Sequence, residues 1–251
     1  MRPFSPNMIG LYRFLWVWLT LLLALWFGWH LLAQFDFLYP VWHDYAGISQ
    51  NIDKYAPLNH YRHDFELTDR ETRFALFHGI VEAIHNHGQG LKELVYQTRN
   101  GTVSLLRHSE IVHLQDVANL IDFVNHLALV LGTVWLVITL LIWSKLSAMK
   151  REKWIKQSFT RRKDSLLNLT IGLALSIGGI LLIGAEKVFY QLHIWVFPAN
   201  HQWFFYYEHS LMSTMMKAPD LFAMIAITLL ILGLAFFVII QLAINALLST
   251  R

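Results

Sequence analysis

Four long apolar stretches dominate the pattern of hydrophobic and polar positions along the chain. A helix needs about 20 apolar residues to cross the hydrocarbon core of a membrane, and each stretch is close to or above that length. The stretches are Phe14–Leu32, Phe123–Trp143, Leu166–Ala185 and Leu221–Leu248. No small-residue cleavage site follows the first stretch, so we expect it to be retained as an anchor. The pattern therefore predicts an integral membrane protein with four transmembrane helices.

The segments between these helices differ in charge, which predicts their orientation. Residues 144–165 contain eight basic and two acidic side chains, whereas residues 34–122 contain twelve acidic and seven basic ones. Basic loops stay on the cytoplasmic side of a membrane. We therefore expect residues 1–33 to form a cytoplasmic N-terminus and the first helix, and residues 34–122 to lie outside. Residues 123–251 then contain helices two to four, a basic cytoplasmic loop, an aromatic outer loop at 186–220 and a cytoplasmic C-terminus.

The first outer segment has the pattern of a small mixed domain. Tyr39–His43 is typical of extended or interfacial chain, whereas apolar residues at helical spacing from Thr68 predict a helix that ends near Gly88. Asn-Gly between two β-favouring runs, at Arg99–Gly101, predicts a β-hairpin. Ser109 can cap a helix that leads into the second span. The predicted fold is mainly α, a four-helix transmembrane bundle with a small extracytoplasmic α+β cap.

The composition excludes several classes of function. Hydrophobic residues make up 55% of the chain and charged residues 15%, against about 25% charged residues in soluble domains. A net charge of +3 gives no reason to expect a nucleic-acid partner, and the absence of cysteine rules out disulfides and a thiolate nucleophile. His60–His63 and His85–His87 are spaced like half of a zinc site, but neither has a recognisable second half. We therefore expect no metal and no cofactor.

The candidate chemistry rests on histidine, because the chain has 13 histidines and no Gly-x-Ser-x-Gly nucleophile motif. His113 is the strongest candidate, since Glu110 and Asp116 lie one helical turn before and after it at the outer end of the second span. A satisfied polar pair is the plainer interpretation of that spacing. His193 lies in the aromatic outer loop, whose rings could equally form an interfacial belt.

Three segments, taken in order, resemble the lipoprotein intramolecular transacylase (Lit) family. Ser109–Val117 is similar to the family pattern Ser-x-x-Glu/Glu-x-x-His-x-x-Asp-Val before the second span. Leu192–Phe205 is similar to the pattern Phe-His-x-x-Phe-Phe…Asn-x-x-Trp-x-Phe after the third span, and Ser210–Phe222 resembles the ending before the fourth. The likeness covers most of the chain, although Leu192 replaces a phenylalanine and Lys217–Pro219 replaces Leu-Phe-Pro.

The resemblance implies a membrane acyltransferase without an acyl-enzyme intermediate. Such an enzyme moves the sn-2 acyl chain of a diacylglyceryl-cysteine lipoprotein to its own α-amino group, which gives a lyso-form lipoprotein. A diacylated lipoprotein and membrane lipid are the implied partners. His113 and His193 would face one another as the catalytic pair, with His113 as the base and His193 as the electrophilic partner. The implied supporting residues are Glu110, Asp116, Asn200, Gln202 and Trp203.

The residues alone leave other classes open. A non-enzymatic membrane sensor or assembly module could use its histidines to respond to pH. A channel or transporter is disfavoured, because the second and fourth spans contain no charged residue and the chain has no internal repeat. The sequence does not define an oligomeric state.

Overall fold

The structure is a computed structural model that describes residues 6–145, residue 150 and residues 163–249. Most of the predicted basic loop at 144–165 lies outside these described residues. The described chain divides into two compact units, a first that contains residues 1–30, 125–183 and 228–251 and a second that contains residues 31–124 and 184–227.

The first unit is built from long apolar helices. It contains most of α1 (Pro6–Ala33), the later part of α5 (His108–Lys145), α6 (Lys163–Ile183) and most of α9 (Asp220–Ser249). Its core includes Trp16, Leu21, Ile138, Leu169 and Phe237. Helix contacts are reinforced by side-chain hydrogen bonds, a common device between membrane helices. Trp16 donates to Thr139 at 3.0 Å, Trp135 to Thr20 at 2.8 Å and Trp26 to Asn125 at 2.9 Å.

The number of transmembrane helices is three or four, depending on how one broken helix is counted. Among the described residues, three helices are long and apolar enough to cross a membrane: Phe14–Ala33, His108–Leu141 and Asp220–Ala243. The predicted third span, Leu166–Ala185, ends at a break at Gly184. The helices on the two sides of this break, Leu169–Ile183 and Ala185–Val196, meet the criteria for a span only as a pair. Gly184 has φ of +98°, a conformation that favours glycine and ends the helix.

Close packing of α1 and α9 gives a stability prediction. A Cβ atom added at Gly233 would lie 2.5 Å from Cδ2 and 3.1 Å from Cγ of Leu25, so a larger side chain must displace α1. We expect Gly233→Leu to lower the free energy of unfolding by about 1–3 kcal/mol, as overpacking generally does. Thermal unfolding in detergent micelles measures this. Gly178→Leu is the control, because a Cβ there meets nothing within 4 Å; equal losses in the two variants would contradict the prediction.

The second unit combines short helices with a two-stranded hairpin. Its helices are α2 (Tyr39–Tyr45), α3 (Ile48–Tyr55), α4 (Arg70–His85), the start of α5, α7 (Ala185–Val196), α8 (Leu211–Met216) and the start of α9. Single 3₁₀ turns occur at Asp36–Leu38, Ala56–Leu58, Phe65–Leu67, Leu91–Glu93 and Tyr207–His209. The buried core residues include Tyr39, Ile48, Ile52, Phe65, Tyr96 and Met215.

The prediction of extended chain at Tyr39–His43 is wrong, because these residues begin α2. Proline fits the first turn of a helix, where its missing N–H has no partner to lose, so Pro40 does not prevent the helix. Tertiary contacts then hold it: the Tyr39 ring stacks on Phe77 with centroids 4.0 Å apart, and its hydroxyl donates to the Met215 carbonyl at 3.0 Å.

The predicted helix and hairpin of the second unit are present, with small changes at their ends. Asp69 is the N-cap of α4 and accepts a hydrogen bond from the Thr72 amide at 2.7 Å. Strands β1 (Val95–Thr98) and β2 (Gly101–Ser104) are antiparallel. Thr98 pairs with Gly101, so the two-residue turn is Arg99–Asn100 and Gly101 begins the second strand.

Candidate active site

The start of α5 is fixed by Glu110. The helix begins at His108, so the prediction of Ser109 as its cap is wrong and Arg107 occupies the cap position. Glu110 is fully buried, and its Oε2 accepts a hydrogen bond from the Arg107 amide at 2.5 Å, which satisfies a backbone donor that the helix itself leaves unpaired. Its other carboxylate oxygen accepts a hydrogen bond from the Ser210 hydroxyl. Ser210 also caps α8, because its Oγ accepts from the Ser213 amide at 3.0 Å. Glu110 therefore joins the first turns of two helices.

His113 lies one turn further along α5, in an aromatic environment. Only 8% of the residue is exposed. Its ring centroid is 4.9 Å from that of Phe197, 5.9 Å from that of Phe205 and 6.1 Å from that of His193. Within the described part of the chain, Nδ1 of His113 is buried and has no hydrogen-bond partner. Nε2 is therefore the ring nitrogen that can meet a substrate.

His193 lies on α7 with its ring held in one orientation. Its Nδ1 is 2.7 Å from the carbonyl oxygen of Phe189, one turn earlier. A carbonyl oxygen only accepts, so Nδ1 carries the proton and Nε2 is the free nitrogen. The ring is half-buried between Phe189, Phe197 and Trp203, at centroid distances of 4.0, 5.2 and 5.0 Å. The structure thus brings together His113 and His193, which are 80 positions apart in sequence.

The two acidic neighbours of His113 are bonded elsewhere. We expected Glu110 or Asp116 to orient the His113 ring, but among the described residues neither carboxylate forms a hydrogen bond with it. Oδ2 of Asp116 instead lies 2.6 Å from Nδ1 of His201, in the loop after α7. His201 was not predicted as a site residue, because it is 85 positions from Asp116 and no local sequence pattern connects the two.

The remaining predicted supporting residues divide into one that contacts the histidine pair and two that lie at the surface. Trp203 is half-buried, and its ring is 5.0 Å from that of His193. Asn200 is exposed in a turn, and exposed Gln202 donates to the carbonyl of Phe204 at 3.0 Å. Ring contacts from Phe197 and Phe205, which the sequence analysis left out of the site, complete the surroundings of His113.

Several other histidines of the second unit lie at the surface. His78 pairs with Asp36 at 2.8 Å and His87 pairs with Asp122 at 2.7 Å, and both histidines are exposed. His60 is exposed, with its ring centroid 5.0 Å from that of His209. Over residues 6–145 and 163–249, no three histidine, aspartate or glutamate side chains converge as metal ligands would.

Two imidazoles with free Nε2 atoms can exchange protons with one substrate group each, which is what general acid–base catalysis requires. Aromatic rings contact both imidazoles and give them apolar surroundings. The chain contains no cysteine, so no thiol competes as the nucleophile. The apolar helices define a membrane protein, and the two neighbouring imidazoles of its second unit have the arrangement expected of an acid–base enzyme.

Comparison with known proteins identifies the family. The family model of the lipoprotein intramolecular transacylase Lit matches residues 14–218. The chain therefore belongs to the Lit family, and it is an intramolecular transacylase. This membership supports an enzyme rather than the non-enzymatic sensor that the residues alone left open.

Solved structures of a membrane integral Lit from Bacillus cereus share the fold. The structure of a variant with a histidine-to-arginine mutation matches with a TM-score of 0.64 at 16% identity, and the match covers 97% of this chain and 93% of that chain. A histidine-to-alanine variant matches at 15% identity, with 97% and 94% covered. A third structure of the same protein matches at 16% identity and covers 98% of each chain. A comparison with curated proteins gave no match.

Proposed function

We propose that the protein moves the sn-2 acyl chain of a diacylglyceryl-cysteine lipoprotein to the α-amino group of the same cysteine. The product is a lyso-form lipoprotein with one ester-linked and one amide-linked chain. The juxtaposition of His113 and His193 in a chain of the Lit family carries this proposal. The substrate supplies its own nucleophile, which fits a site where histidines, rather than a serine or cysteine, are brought together.

The proximity of the amine and the ester within one substrate molecule supplies much of the rate enhancement. The amine and the ester belong to one molecule, so the enzyme needs only to hold them in a reactive geometry and to move protons. An α-amine has a pKa of about 7.7–8.0 in water, so a weak base is sufficient to deprotonate it. During the attack itself, two imidazoles can move the remaining protons.

The surroundings of Nδ1 in the two rings favour the opposite assignment of base and proton donor from the one expected from the sequence. His193 donates Nδ1–H to the Phe189 carbonyl, so its Nε2 has a free lone pair and the carbonyl stabilises the imidazolium that forms. His193 is therefore the base that takes a proton from the attacking amine. Nδ1 of His113 is buried with no acceptor for a proton among the described residues, which favours the tautomer that carries the proton on Nε2, where it can donate to the ester oxygens.

The acyl chains lie among the aromatic residues beside the pair. Trp203 contacts His193 and Tyr190, at centroid distances of 5.0 and 5.7 Å, so it forms the wall nearest the reacting ester. Trp195, which is 73% exposed, is available to membrane lipid.

Mass spectrometry of a synthetic diacylglyceryl-cysteinyl peptide tests the reaction. The purified protein in lipid micelles should convert the peptide without a change in total mass, while fragmentation shows one acyl chain moved from glycerol to nitrogen. An amine-reactive reagent should then fail to label the product. Migration from the sn-1 position, or release of free fatty acid, would contradict the proposal; micelles without protein are the control.

The reaction takes place on the outer side of the cell membrane in this proposal, with both termini in the cytoplasm. The charge pattern of the loops supports it: residues 144–165 are strongly basic, and residues 34–122 are acidic overall. A lipoprotein whose lipid-modified cysteine lies in the outer leaflet can then enter the site in the second unit without crossing the membrane.

Labelling of single cysteines tests this topology, because the natural chain contains none. In intact cells or spheroplasts, a membrane-impermeant thiol reagent should label Gln97→Cys, which is exposed on the hairpin, and should not label Lys153→Cys in the basic loop. Lysed cells should show labelling of both. Labelling of Lys153→Cys from outside in sealed cells would contradict the orientation.

A further inference from the structure

His201 and Asp116 form a pair that the reaction described so far does not use. Nδ1 of His201 lies 2.6 Å from Oδ2 of Asp116, and a carboxylate only accepts, so Nδ1 carries the proton and Nε2 is free. The His201 side chain is 33% exposed and that of Asp116 is 13% exposed. A carboxylate that fixes the tautomer of a histidine and stabilises its charged form is the arrangement that makes imidazole an effective base. Neither His113 nor His193 has such a carboxylate partner in the described residues.

The proposed reaction has a net release of one proton. At neutral pH the substrate amine is mostly an ammonium, –NH₃⁺. One proton must leave before the nitrogen lone pair can attack the ester carbonyl carbon. The new C–N bond then forms, the ester C–O bond breaks, and the nitrogen loses a second proton while the departing glyceryl oxygen gains one. The net products are an amide, an alcohol and one proton that must reach water.

We propose that His201, backed by Asp116, takes this surplus proton from the substrate ammonium and releases it to water. The inference rests on the proposed function, since it follows from the proton balance of that reaction. His113 is only 8% exposed and is enclosed by rings, so it suits the internal transfer rather than exchange with solvent. Asp116 lies one turn from His113 on the same helix, which places the His201 pair beside the reacting groups. Asp116 is the acidic side chain that faces His201 from α5, and no other described side chain bonds to that ring.

A comparison of two pH values tests the role of His201 in the full-length protein. At pH 6.5 about one-twentieth of an amine with a pKa of about 7.8 is already neutral, whereas at pH 9 nearly all of it is. With the diacylglyceryl-cysteinyl peptide as the probe, His201→Gln should turn over about tenfold or more slowly than the natural protein at pH 6.5. At pH 9 the two rates should agree within about twofold, because no ammonium proton remains to be removed. Asp116→Asn, which keeps a carbonyl acceptor, should behave in the same way.

His87→Gln is the matched control, because the exposed His87 forms another histidine–aspartate pair that involves α5, with Asp122 at 2.7 Å. It should change neither rate by more than about twofold. An unchanged rate of His201→Gln at pH 6.5 would overturn the proposal, and so would an equal loss at both pH values, which indicates a structural role. If the natural protein moves no acyl chain at either pH, the proposed function itself fails, and this proposal fails with it.

Discussion

Alanine in place of His193 is expected to slow acyl migration about 10²–10⁴-fold, the usual effect of losing a general base. The change removes the Nε2 lone pair that takes the proton from the attacking amine, and it also removes the Nδ1–H bond to Phe189. Protein level and membrane insertion should remain normal, because the ring is only half-buried and the change leaves no charged group unpaired. Mass spectrometry of the reporter peptide measures the rate.

His113→Ala should have an effect of similar size, and the double variant should be little worse than either single one. Residues that act as a unit are strongly non-additive, since losing one already disables the shared step. His60→Ala and His87→Ala serve as controls and should stay within about twofold of the natural rate, because both side chains are exposed and lie outside the pair. Turnover at the natural rate by the double variant would show that the histidine pair is not the catalytic centre.

Local sequence pattern was sufficient for the elements whose stability is local. Long apolar stretches predicted the helices of the first unit, and helical spacing after Asp69 predicted α4. The hairpin was predicted by its turn, although strand pairing moved Gly101 into β2. The third span was predicted to end at Ala185, close to the break at Gly184, but α7 was missed, because hydropathy does not distinguish an aromatic interfacial loop from a helix.

The two histidines of the candidate site were predicted from the sequence, but the partners of its carboxylates were not, and this difference has a physical reason. His113 and His193 could be selected because each lies in a segment that resembles a family motif. The bonds between Glu110 and Ser210 and between Asp116 and His201 join residues 100 and 85 positions apart. Helical spacing alone therefore assigned both carboxylates to His113. Tertiary packing gave each of them another partner, and no local rule could reveal that choice.

Glu110→Ala is expected to cause the largest loss of stability among single changes at the site. Both of its oxygens are bonded in a fully buried position, to the Ser210 hydroxyl and to the Arg107 amide. Without Glu110, the Arg107 amide and the Ser210 hydroxyl stay desolvated with no partner, which costs about 1–3 kcal/mol for each group. The midpoint of thermal unfolding in detergent should fall, and acyl migration should fall with it because His113 lies on the next turn of α5.

A double-mutant cycle with Ser210→Ala separates this network from simple loss of volume. Ser210→Ala removes both the donor to Glu110 and the cap of α8. Glu110→Gln keeps the side-chain size, but its amide NH₂ replaces one of the two acceptor oxygens that bond to the Arg107 N–H and the Ser210 hydroxyl. If the bond between Glu110 and Ser210 stabilises the junction of α5 and α8, the two alanine changes should cost less together than the sum of their separate losses, by about 0.5–3 kcal/mol. Strictly additive losses would mean that the two side chains act independently, and that the position of His113 depends on α5 alone.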